Sequence, residues 1–151
     1  MPPTTVTVVT RSAGQEGVSA VACLIEWPNG RRELVSAPLL GCVERSTGTF
    51  LGATFALGEL DPTRATVLRT SSPGVFHSLA AAPWHPNHAT SIGVIEARHD
   101  FLQAVRQFRS LRGELAPKND LTILHLSQAA EAEARAYAAE RMAACGFRQA
   151  A

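Results

Sequence analysis

With 151 residues, 46% of them apolar and 18% charged, the chain is long enough to bury a real core and matches one compact domain spanning 1–151. A formal charge of +1 excludes a histone-like polycation or an acidic tail, and no apolar run nears the roughly 20 residues of a membrane span. Cys23, Cys42 and Cys145 are odd in number and form no C-x-x-C pair, which excludes a disulfide framework or cysteine-rich zinc site and fits buried or idle thiols in a reducing cytosol.

The opening Met-Pro-Pro-Thr-Thr lacks the basic and apolar regions of a signal peptide, so a soluble, cytoplasmic chain is expected. Thr5 to Thr10 is short and rich in β-branched residues, as a central buried strand should be. Val18 to Trp27 reads as a second strand, Pro28-Asn29-Gly30 as the turn, and Arg32 to Ala37 as a returning third strand. Ser46 to Leu60 carries apolar residues at helical spacing (Phe50, Leu51, Ala53, Phe55, Ala56, Leu57, Leu60), with Ser46 or Thr47 as the cap. Gly52 and Gly58 each cost roughly 1 kcal/mol against Ala inside a helix, so they suggest close approach to a sheet.

Asp61-Pro62 is expected to end that helix. Ala65 to Arg69 reads as a fourth strand, parallel to the first because a helix connects them. A short helix is expected over Val75 to Ala82, a loop over Pro83 to His88, and an amphipathic helix over Ile95 to Arg112. Gly113 to Asn119 reads as a turn and Leu121 to Leu126 as a fifth strand. Gln128 to Cys145 is then an Ala-rich closing helix, with Gly146 as its C-terminal cap.

Charge is distributed unevenly. From Arg64 to Lys118 there are seven basic residues against three acids, which fits either a face for an anionic partner or a solvated helix flank. On the expected Ile95–Arg112 helix, steps of 100° place Arg98, Arg106 and Arg109 within about 80° of one another. Such a row suits bidentate phosphate contact, or it covers the edge of the core with its alkyl stems.

The order β-β-β-α-β-α-α-β-α resembles the ribonuclease H fold of type 1 ribonucleases H and reverse-transcriptase domains, over nearly the whole chain. Thr10-Arg-Ser-Ala13 looks like the family's T-D-G-S, and Thr47 to Leu60 looks like its R-M-E-L-x-A-x-x-x-A-L-x-x-L helix. Val67 to Ser72 is similar to its strand ending in T-D-S. The resemblance implies an α+β fold, a five-stranded mixed sheet with helices on both faces.

That family cleaves the RNA strand of RNA–DNA hybrids with two Mg2+ ions held by four carboxylates, which clamp the attacking and leaving oxygens. Carried over by position, the first Asp becomes Arg11, the helix Glu becomes Thr49 and the second Asp becomes Ser71. The acid of the closing helix falls at about Ala136 or Tyr137. Mg2+ wants hard oxygen ligands, preferably charged ones, so no metal and no cofactor is expected. The family's N-N before the helix becomes Arg45-Ser46, and its Lys-rich handle becomes Trp84 to His88.

Other chemistry is thinly supported. Ser12, Ser71, Ser72 and His77 fall near strand ends, but no G-x-S-x-G elbow accompanies them. His85 and His88 alone do not define a zinc site, and His125, in an apolar stretch, reads as a core histidine. The sequence therefore points to a pseudoenzyme, a catalytically inactive ribonuclease H-like domain that binds nucleic acid or a protein. Its expected contacts to nucleic acid are Arg11, Arg45, Ser46, Trp84, Arg98, Arg106 and Arg109. Partner classes are duplex or RNA–DNA hybrid, a protein, or a second copy in a homodimer; a membrane is not among them. The alternative is a noncanonical nuclease or phosphate-handling hydrolase using the same site.

Overall fold

The computed structural model describes residues 2–14, 17–39, 44–80, 86 and 90–150, with the backbone alone for 146–150. Strands β1 (Thr4–Ser12), β2 (Ser19–Glu26) and β3 (Arg32–Leu39) form an antiparallel meander. Gly30 adopts φ +85° in the turn between β2 and β3, a conformation that side chains disfavour. Helix α1 (Arg45–Gly58) leads to β4 (Thr66–Thr70), which pairs parallel to β1 with Val8 opposite Thr70. Helices α2 (Pro73–Leu79) and α3 (Ile92–Arg106) follow, then β5 (Leu111–Leu115), parallel to β4, and the long α4 (Leu121–Ala150). The sheet order is β3-β2-β1-β4-β5.

Alternation along the strands builds two cores. Val6, Val8, Val21, Cys23, Ile25 and Leu68 face α1 and α3, where Phe50 and Phe101 meet with ring centroids 5.8 Å apart. On the other face, Val9 and Ala22 meet Ile123, Leu126 and Ala130 of α4, while Val18 and Ala20 meet Ala134 and Ala138. Burial on both faces explains why β1 and β2 read as nearly continuous apolar runs. It also pushes the Cys23 thiol up to about 12, with smaller contributions from Glu59 and Glu33, so this cysteine is inert; Cys145 is exposed.

The two glycines of α1 differ. A Cβ on Gly52 would collide with Thr10 Oγ1 and lie 3.2 Å from Val21 Cγ2, so this glycine lets the helix press onto β1 and β2. Nothing lies within 4 Å of the corresponding point at Gly58, which ends the helix and serves no close approach.

The carboxyl-terminal third departs from expectation. Leu121 to Leu126 is the start of α4, not a strand, because Ile123, Leu126, Ala130, Ala134 and Ala138 continue at helical spacing for another three turns. The fifth strand is the charged Leu111–Leu115, whose Arg112 and Glu114 alternate with Leu111, Gly113 and Leu115. A Cβ on Gly113 would lie 2.8 Å from Leu79 Cδ1, so α2 packs directly over this strand. His125 is exposed on α4 and is no core histidine. Gly146 lies inside α4 and does not cap it.

On the α4 face, Arg69 donates to Glu114 at 3.0 Å and to Asp120 at 3.1 Å. Burial works against the charge on Arg69, but the hydrogen bonds to Asp120 and Glu114 outweigh it and its pKa is raised. Asp120 also accepts from the Ile123 backbone at 3.2 Å, so one carboxylate both caps α4 and fastens it to β4.

Candidate functional site

In open sheets, ligands collect outside the carboxyl ends of strands where neighbouring connections diverge. Strand β1 is such a point here, with antiparallel β2 on one side and parallel β4 on the other. Beyond the ends of β1 and β4 lies a cavity of about 720 Å³. It is bordered by Arg11 from β1, Ser71 and Ser72 after β4, and the starts of α1 and α3.

Of the positions carried over from the family, Arg11, Thr49 and Ser71 all line this cavity, as do Arg45, Ser46 and Arg98. Ala136 does not; it sits on the exposed side of α4, well beyond the helix start at Leu121. The arginine row is shortened, and only Arg98 of the three lines the cavity. Helix α3 stops at Arg106, about 12 Å beyond Arg98 along the axis. Arg109 lies past the helix, its backbone N–H bonded to the Pro62 carbonyl at 2.9 Å, near the amino end of β4. Trp84, His85 and His88 lie outside the described residues.

Local bonding sets the character of the cavity. Arg11 Nη1 donates to the Thr10 carbonyl at 3.1 Å. Thr49 Oγ1 donates back to the Arg45 carbonyl at 2.9 Å, which binds that hydroxyl to its own helix. Helix α1 begins one residue before the expected caps. Glu44 is its N-cap residue, yet no side chain caps it. Glu44 instead accepts from Ser91 Oγ at 3.3 Å, and Ser91 caps α3 by accepting from Val94 N. Arg98 Nε donates to Ser78 Oγ at 3.1 Å, and burial lowers the guanidinium pKa without threatening its charge.

Among the described residues, four basic side chains (Arg11, Arg45, Arg98, Lys118) thus share the lining with a single carboxylate, Glu44. The exposed amide N–H groups of α1's first turn add partial positive charge at the same place. Sequence reasoning misses Glu44, Ser91 and Lys118 as site residues, and it brings His77 near the strand ends only as the partner of a thinly supported Ser/His pair. Ser91 and Ser72 carry the signal of capping residues before helices, but a cap does not reveal what it borders. Lys118 was counted in the basic block without a position.

The metal pair implied by the family does not fit this set of donors. A guanidinium stands at Arg11 and hydroxyls at Thr49 and Ser71, and among the described residues no three His, Cys, Asp or Glu gather to hold an ion. Also among the described residues, no helix is long and apolar enough to cross a membrane.

Strand order, helix placement and strand-end cavity together define an α+β domain of ribonuclease H-like fold. No protein-family model and no curated protein matches the chain. Among solved structures it is similar to ribonuclease H1 from the halophilic archaeon Halobacterium salinarum, with a TM-score of 0.69 and 17% identity over 87% of this chain and 96% of that one. It is similar also to the N-terminal ribonuclease H domain of a Mycobacterium tuberculosis protein, solved as a fusion with maltose-binding protein. There the TM-score is 0.69 and the identity 15%, over 91% of this chain and 99% of that one.

Proposed function

We propose that this ribonuclease H-like domain binds the phosphate backbone of nucleic acid at the strand-end cavity and does not cleave it. The observation that carries the reading is the charge of the lining, which among the described residues sets four basic side chains against one carboxylate at the carboxyl ends of β1 and β4. Arginine offers paired N–H donors to phosphate oxygens, and half-buried guanidinium groups act across a lower dielectric than fully exposed ones. Both solved structures named above are of ribonucleases H, which favours nucleic acid as the ligand class.

Titration of labelled duplex, hybrid and single strands at several salt concentrations tests it. If three or four phosphates are neutralised, log K falls against log salt on duplex with a slope of about −3 to −4. Arg11→Gln with Arg98→Gln should flatten that slope, whereas Arg106→Gln with Arg109→Gln should leave it nearly unchanged. Purified protein should leave an RNA–DNA hybrid intact in Mg2+ or Mn2+. Hybrid cleavage abolished by EDTA would overturn the non-cleaving part of the reading. Absence of binding to every nucleic acid at low salt would overturn the binding part and leave a protein partner, for which exposed Leu115, Leu121 and Leu124 around the β5–α4 turn offer apolar surface.

A further inference from the structure

The lining of the cavity favours one part of a nucleic acid over another. The starts of α1 and α3 are joined at its rim by the Ser91–Glu44 hydrogen bond of 3.3 Å. A Cβ on Gly93 would lie 3.4 Å from Thr47 Oγ1, so the two first turns are in contact there. β1 and the β4–α2 turn border the same cavity, so its basic groups come from several elements and converge on it. A chain end offers them three phosphate oxygens free of a second ester, where an internal phosphate offers two.

Charge points the same way. A phosphodiester carries one negative charge, whereas a terminal phosphate monoester carries about −1.5 to −2 at pH 7 and has three oxygens to offer. A recess holding Arg11, Arg45, Arg98 and Lys118, with Glu44 the one carboxylate among the described lining residues, gains most from the more highly charged group. Ser46 and Ser71 place hydroxyls, and α1 its first-turn amides, at the same recess. We infer that the strand-end cavity is a receptor for the terminal phosphate of a nucleic-acid strand, preferring a phosphomonoester end to the internal backbone. This inference rests on the nucleic-acid reading above and goes beyond it in naming which phosphate is held.

The test compares one short single strand prepared with a 5′-phosphate, a 3′-phosphate, or hydroxyls at both ends, titrated in phosphate-free buffer by fluorescence anisotropy. The expected result is tenfold or greater preference for a phosphorylated end, with the two phosphorylated strands showing which end is taken. Inorganic phosphate should compete with that strand, and Arg11→Gln and Arg98→Gln should each abolish the preference. Arg98 also holds Ser78, so thermal melts must confirm folding, and Arg11→Gln tests the same recess without that contact. Equal affinity for all three strands, with one salt slope, would overturn end recognition while leaving backbone binding in place. A preference that survives both substitutions would place the phosphate elsewhere and overturn the inference. No binding of any strand would overturn it together with the reading on which it rests.

Discussion

On the α4 side of the sheet, Arg69 donates to Glu114 at 3.0 Å and Asp120 at 3.1 Å, and its side chain is only 19% exposed. On the α1 side, Arg98 donates to the Ser78 hydroxyl at 3.1 Å beside a cavity with three more basic groups and one carboxylate. The first arrangement balances its charge internally, and it ties together β4, β5 and the start of α4. The second gathers like charges from β1, α1, α3 and the β5–α4 turn around one cavity, where self-repulsion costs stability that an anion would return. Stability and binding should therefore separate by face.

The largest effect is expected where the α1 side is packed rather than charged. Phe101 is fully buried against Phe50, and Phe101→Ala should cost about 3–5 kcal/mol in urea unfolding. Because these rings set the spacing of α1 and α3, the same change should weaken nucleic-acid binding although it removes no charge.

Next comes the contact that seats α1. Gly52→Ala forces a Cβ against Thr10 and should cost about 1–3 kcal/mol by overpacking, less roughly 1 kcal/mol gained in helix propensity. Adding Thr10→Ala should recover part of the loss, which a double-mutant cycle would reveal. Gly58→Ala, with open space around it and no positive φ, should instead be neutral or stabilise by up to about 1 kcal/mol.

The charged groups give a crossed pattern. Arg69→Met strands Glu114 and Asp120 without their cation and should lower the melting midpoint by several degrees while leaving the salt slope of binding intact. Arg11→Gln should do the reverse, with little change in midpoint and weaker binding, because the hydrogen bond it gives up is local, to the Thr10 carbonyl. Equal losses of stability and binding in both variants would erase the distinction between the faces.

The smallest effect concerns pH. The hydrogen bond from Arg69, with a further one from the Ile123 backbone, holds the Asp120 carboxyl below its ordinary value. The unfolded chain therefore binds that proton more readily than the folded one. Stability from this group is complete above the unfolded pKa of about 3.9 and is lost as pH falls through the lowered folded value. Asp120→Asn should make acid unfolding shallower in that window. Asp61, lowered by its hydrogen bonds from Thr63, should persist as a weaker contributor of the same sign.

The sequence by itself determined the meander, the helix that follows it and the parallel fourth strand. Each rests on a local pattern: β-branched runs buried on both faces, a glycine turn, or an apolar helical stripe. Only the tertiary structure decided the rest. Leu111–Leu115 became a strand because its ladder to β4 and the Arg69–Glu114 pair compensate for Gly113 and two charges, and none of that is visible locally. The apolar residues of Leu121–Leu126 fit a strand or a helix over six positions, and only the long contact with β1 and β2 selects helix. Arg109 was separated from Arg98 because α3 ends early, whereas Lys118 joined Arg11 across more than a hundred residues because β1, β4 and β5 end side by side. A cavity is a property of where strands end in space, and residues distant in the chain meet there only after the sheet has formed.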